Sequence, residues 1–142
     1  MTRFLATRLF VLALLACLCA TARAQTQPPT ACPPASEIAA AQLYGLWRAE
    51  IEGLPPQATL LLEKHPTYPD SFSGAITRGG VRGWLSGEIE DGEFVLEESA
   101  DGRRIAATWI GEVVEGSCGR EIRGTWQRDG DSRAHAFILK KQ

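Results

Sequence analysis

His65 and His135 are the only imidazoles in the chain, and neither belongs to an H-x-H or H-E-x-x-H pattern. A zinc site draws roughly four ligands from closely placed side chains, so no metal is expected. Carboxylates are more plentiful: Glu88, Glu90, Glu93, Glu97 and Glu98 crowd one stretch. Two carboxylates flanking a sugar bond can drive glycoside hydrolysis, but alternating glutamates on a strand also describe a solvated sheet face. Serines and aspartates occur on loop segments, yet nothing resembles the strained strand-to-helix turn of a nucleophile elbow. The residues therefore point away from an enzyme and call for no cofactor.

Aromatic residues carry the stronger signal. Four tryptophans stand in a chain of 142 residues, and aromatic walls are common in ligand pockets as well as in packed cores. Trp47, Trp109 and Trp126 fall in phase with neighbouring apolar residues, which suits either role. Trp84 falls out of phase, sharing its face with Arg82, Ser86 and Glu88. Exposed, it would mark a partner surface; turned inward, that face would make a polar cavity wall. The candidates for ligand binding are Trp84, Trp109, Trp126, Arg82 and His135.

The elements that must position these residues are strands. Side chains on a strand point to alternate faces, and alternation recurs from Leu46 to Lys141 between glycine-rich breaks. The expected inward sets are Trp47, Ala49 and Ile51; Leu60 and Leu62; Phe72 and Ile76; Val81, Leu85 and Ile89; and Phe94 with Leu96. The later strands contribute Ile105, Ala107, Trp109, Gly111 and Val113; Ile122, Gly124 and Trp126; and His135, Phe137 and Leu139. Asp91-Gly92, Asp101-Gly102 and Asp129-Gly130 read as hairpin turns, because Asp and Gly tolerate the positive φ of primed turns. Prolines at Pro55 and Pro56 delay the second strand to Ala58, and Ser36 to Leu43 reads as a short helix with Ser36 as its N-cap. The chain is thus expected to be all-β, an eight-stranded antiparallel up-and-down β-barrel preceded by a short N-terminal helix, with first and last strands paired so that no edge is exposed. Glycines inside strands, Gly74, Gly83, Gly87, Gly111 and Gly124, suit the tight coiling of a small barrel.

The N-terminal part reads differently. Residues 1–24 have the layout of a secretory signal peptide: Arg3 and Arg8, an apolar run from Leu9 to Ala20, then Ala22-Arg23-Ala24 as a small-x-small cleavage site. A lipoprotein cut before Cys17, after Leu14-Leu15-Ala16, is the alternative and would leave a lipid anchor there. Residues 25–35 form a proline-rich arm, and 36–142 a single barrel domain of ordinary size. Interspersed charges, near balance at −2, offer no footprint for nucleic acid, and no segment reads as a membrane span. The outward charges also disfavour an outer-membrane barrel. Cys32 and Cys118 remain after the leader and are expected to form a disulfide, which places the protein in the periplasm or outside the cell.

Gly45-Leu46-Trp47, opening the first strand after a short helix, resembles the calycin group, the lipocalins and avidins. That resemblance implies that Gly45 and Trp47 form the barrel floor, with Lys140 or Lys141 covering the tryptophan by a cation–π contact. The avidin asparagine after the first-strand tryptophan is absent, Arg48 and Ala49 standing there, and the lipocalin threonine-aspartate-tyrosine motif is missing. Ala41-Gln42-Leu43-Tyr44-Gly45-Leu46-Trp47 and the closing Lys140-Lys141 are also similar to small periplasmic inhibitors of bacterial metalloproteases, which act through an N-terminal arm. The expected function is an exported, non-enzymatic binding protein that holds a small apolar or amphipathic ligand in its barrel. The alternative is a protein-binding module such as a protease inhibitor.

Overall fold

The structure is a computed structural model that describes residues 31–142. The leader at 1–24, the lipid-anchor alternative at Cys17 and most of the arm lie outside the described residues. A single turn of 3-10 helix, Ala35–Glu37, leads to a one-turn helix α1 (Ala40–Leu43). Eight strands follow: β1 (Gly45–Ile51), β2 (Leu54–Lys64), β3 (Ser71–Arg78), β4 (Val81–Glu90), β5 (Glu93–Ser99), β6 (Ile105–Val113), β7 (Glu121–Arg128) and β8 (Ala134–Lys141). Each pairs with its neighbours antiparallel, and β8 returns to β1 to close the barrel. This is the expected up-and-down topology. Among the described residues no helix is long and apolar enough to cross a membrane.

Alternation sets which residues fill the centre. Trp47, Ala49 and Ile51 are buried on β1 while Leu46, Arg48 and Glu50 are exposed, and β6 repeats the pattern with Ala107, Trp109 and Val113. Large inward rings need small partners. Phe72 lies beside Gly87, where an added Cβ would stand 2.6 Å from its ring. Gly111 and Gly124 face each other across β6 and β7, and a Cβ on Gly111 would stand 2.9 Å from the ring of Phe137. Close packing tolerates neither.

Four local expectations are corrected. The helix over Ser36–Leu43 is two separate turns, broken at Ile38, whose backbone is extended and whose side chain is buried. Ser36 lies inside the first turn and is not an N-cap; the amide of Ala39 is capped by Oε1 of Gln42 at 2.7 Å. The second strand begins at Leu54 and carries both prolines, because the register with β1 shifts between Ala49 and Ile51, and proline is tolerated at strand starts and irregular pairings. Val81 has inward parity but remains 73% exposed because it opens β4 at the barrel rim, and Ile105, expected inward, is 44% exposed because the irregularity between Glu98 and Ser99 pairs it with the outward Ser99.

The Asp-Gly pairs also diverge. Asp91-Gly92 joins β4 to β5 with φ of 50° and 85°, a primed two-residue turn. At Asp101-Gly102 and Asp129-Gly130 only the glycine has positive φ, and each pair sits within a longer loop. The disulfide joins Cys32 to Cys118, in the loop between β6 and β7, and so ties the start of the described chain to the lower end of the barrel.

Candidate functional site

Gly45 starts β1 at φ 125°, which lets α1 fold directly against the lower end of the barrel. Trp47 is wholly buried there, and its Nε1 donates to the Leu43 carbonyl at 2.7 Å. Lys141 lies over the ring, Nζ 5.9 Å from its centroid, and donates to the Gln42 carbonyl. Burial, with Arg120 nearby, holds its pKa below the usual lysine value. Lys140 has the opposite parity and is exposed, so the lysine over Trp47 is Lys141, not Lys140. Ile38 and Leu43 complete the apolar plug.

Above this floor the interior is occupied by side chains. Trp109 packs edge-on to Phe137 at 5.0 Å and to Trp126 at 6.5 Å, and Phe72 stacks on Phe94 at 5.5 Å. Trp109, Phe72, Phe94, Leu60, Leu62 and Leu96 have no exposed surface, so no water-sized void touches them. The Nε1 of Trp109 has no hydrogen-bond partner among the described residues. It is the polar cost of this core, since an unpaired buried donor is destabilising.

A polar layer lies across the upper mouth, beside a cavity of about 180 Å³ bounded by Ile76, Arg78, Gly83 and Glu98. Arg78 and Glu98 form a two-pronged ion pair at 3.1 and 3.3 Å, and Trp126 Nε1 donates to Glu98 Oε2 at 3.3 Å. The Arg78 and Arg128 guanidinium groups lie 5.5 and 5.9 Å from the Trp126 centroid. His135 stands 5.8 Å from the same ring, with Nδ1 2.9 Å from the Glu52 carbonyl, the geometry of an Nδ1–H donor. Arg78 was not singled out from sequence, and Glu98 was read only as one of a cluster of glutamates. The available signal was Glu98 itself, a carboxylate in phase with Phe94 and Leu96.

Trp84 and Arg82 lie outside the barrel. Trp84 is 54% exposed, with the Arg82 guanidinium 5.8 Å from its ring and Gly102 against its edge. A groove of about 650 Å³ runs past it, walled by His65 and Pro66 on one side and by Gly102, Arg103, Arg104 and Ile105 on the other. Both walls are internally braced. His65 Nδ1 accepts from the amides of Thr67 and Tyr68, both at 3.1 Å. Asp101 accepts from the amides of Arg103 and Arg104 at 2.8 and 2.9 Å, and these bonds hold its carboxyl below the usual carboxylate value. One pairing row also links Leu46, Leu61, Ala75, Trp84, Ser99 and Ile105 across the outer wall.

The structure thus divides the five candidate ligand residues. Trp109, Trp126 and His135 belong to the interior and its mouth, whereas Arg82 and Trp84 belong to the outer groove. Of the glutamate cluster, Glu98 points inward and Glu88, Glu90, Glu93 and Glu97 lie on the outer surface. The sequence matches no protein-family model, and a search of curated proteins finds no match.

Proposed function

We propose that this chain is an exported protein-binding module that recognises its partner through the outer face around Trp84. The observation that carries this reading is the contrast between an interior whose large side chains are fully covered and a braced, half-exposed tryptophan beside three arginines. Tryptophan and arginine are the residues over-represented at energetic centres of protein interfaces. The leader-like residues 1–24 and the Cys32–Cys118 disulfide support export. The closed antiparallel barrel, with Trp47 under Lys141, supports a calycin-like ancestry.

A filled core favours surface recognition over a ligand in the barrel. Replacing Trp84 by a photoreactive amino acid should give a discrete protein adduct on irradiation in cells, and the same probe at Thr125, on the outer face of β7, should not. Absence of any adduct from position 84 would remove this reading. A native mass spectrum of gently purified protein should show the bare, disulfide-bonded chain. A small molecule released only on denaturation would restore the barrel-ligand alternative.

A further inference from the structure

The outer face of β4, β5 and β6 is divided by charge. Its middle row is Ser86, Glu97 and Thr108. Above that row come Trp84, Ser99 and Ile105, and then a basic edge formed by Arg82 on β4 and by Arg103 and Arg104 on the loop before β6. Below it the pairing rows are Glu88, Val95 and Ile110, then Glu90, Glu93 and Glu112. Ile105 and Ile110 are 44% and 58% exposed, so each half of the face carries a bare isoleucine.

From this arrangement we infer that the partner of the Trp84 face is a second copy of this chain, an inference that rests on the surface-recognition reading above. A two-fold axis along the middle row turns the second copy's face upside down against the first. The basic edge of each copy then meets the acidic edge of the other, twice over. Arg82 comes opposite the row position of Glu90, the loop arginines come opposite Glu93 and Glu112, and Ile105 comes opposite Ile110. A two-fold contact must be self-complementary in this sense, and like charges brought together would oppose it. A two-fold axis running along the strands instead would set arginine against arginine. Trp84 comes opposite Glu88 and Ser99 opposite Val95, and Glu97 meets its own counterpart on the axis, which is unfavourable.

Sedimentation velocity on the oxidised exported chain over a wide dilution series tests the inference. The expected result is a concentration-dependent rise from monomer to dimer. Arg82→Glu combined with Arg104→Glu, and separately Glu90→Arg combined with Glu93→Arg, should each weaken the dimer at least about tenfold, a change of about 1.4 kcal/mol. All four positions are exposed, and unchanged circular dichroism checks that the variants fold. Mixing the two variants should recover association as a heterodimer, because one then presents acidic residues on both edges and the other basic residues on both. Glu97→Gln should tighten the wild-type dimer. A wild-type chain that stays monomeric throughout, or reversals that leave dimerisation unchanged, would overturn the inference.

The photoreactive probe at position 84 separates the two readings. Crosslinked dimer from purified protein supports the second copy. Adducts formed only in cells, to other proteins, would overturn the second copy while leaving surface recognition standing. No adduct in either setting would remove both.

Discussion

Trp109 on β6 and Trp84 on β4 are the same residue type on two strands of one barrel wall, and they meet opposite fates. Trp109 is covered on every side and gives up the hydrogen bond of its indole N–H to stay there. Trp84 remains half exposed, held against Gly102 and Arg82 without being enclosed. The inner surface spends its aromatic rings on cohesion, supported by glycines opposite the largest ones. On the outer surface a ring is held ready and surrounded by charge. On the proposed reading, stability and recognition are thus assigned to opposite faces of the same strands.

The comparison breaks most visibly with Trp109→Ala, which should cost about 3–5 kcal/mol in chemical denaturation, the range for deleting a fully buried aromatic. Trp84→Ala should stay within about 0.5 kcal/mol of the parent while weakening self-association in sedimentation velocity. Equal losses from the two substitutions would show that Trp84 is also a core residue.

Next in size is the disulfide. Replacing both Cys32 and Cys118 by Ser should lower stability by about 2–4 kcal/mol on the chain-entropy model, read from the urea midpoint. Because neither cysteine lines the groove, self-association of the folded variant should persist.

A smaller effect separates the two closing lysines. Lys141→Met should lose about 0.5–2 kcal/mol through the cation–π contact with Trp47, offset in part by relief from burying a charge, and should shift Trp47 fluorescence. Lys140→Met should do neither. Matching effects would mean that Trp47 is not covered as described.

The smallest effect is local to the groove wall. Asp101 has its pKa lowered in the folded state by the amides of Arg104 and Arg103. Its contribution to loop order is therefore present above the ordinary carboxylate value near 3.8 and is lost as pH falls through the lower folded value. Protection of the Arg103 and Arg104 amides, measured against their intrinsic exchange rate at each pH, should fall through that acidic window, and Asp101→Ala should remove it already at neutral pH. Exchange that ignores both changes would show that Asp101 does not brace the loop.

Much of this division was legible in the sequence because a strand's period of two is a local property. Trp47, Trp109 and Trp126 were in phase with the core, and the odd parity of Trp84 set it apart without deciding which way it faces. Parity failed at Val81, because an inward direction at a strand's first residue does not ensure a neighbour above it, and at Ile105, because the irregularity beside Ser99 sets it in the outer row. Pro55 and Pro56 concealed the true start of β2, since the register shift that accommodates them depends on β1. The Arg78–Glu98–Trp126 cluster was hidden for another reason: its members come from β3, β5 and β7, and only closure of the barrel brings them together. The separation of Arg82 and Trp84 from the other candidates likewise follows from parity. The groove itself needed the folds of the His65 and Asp101 loops.

The most direct test of a closed interior with recognition outside is nuclear magnetic resonance of the four indole N–H groups, followed by hydrogen exchange, dilution and addition of a long-chain fatty acid. The Trp47 and Trp109 signals should exchange slowly and ignore both dilution and the fatty acid, while Trp84 should exchange fast in dilute samples and shift as concentration rises. A Trp109 signal that exchanges as readily as Trp84, or that moves when the fatty acid is added, would contradict a closed core and place binding inside the barrel.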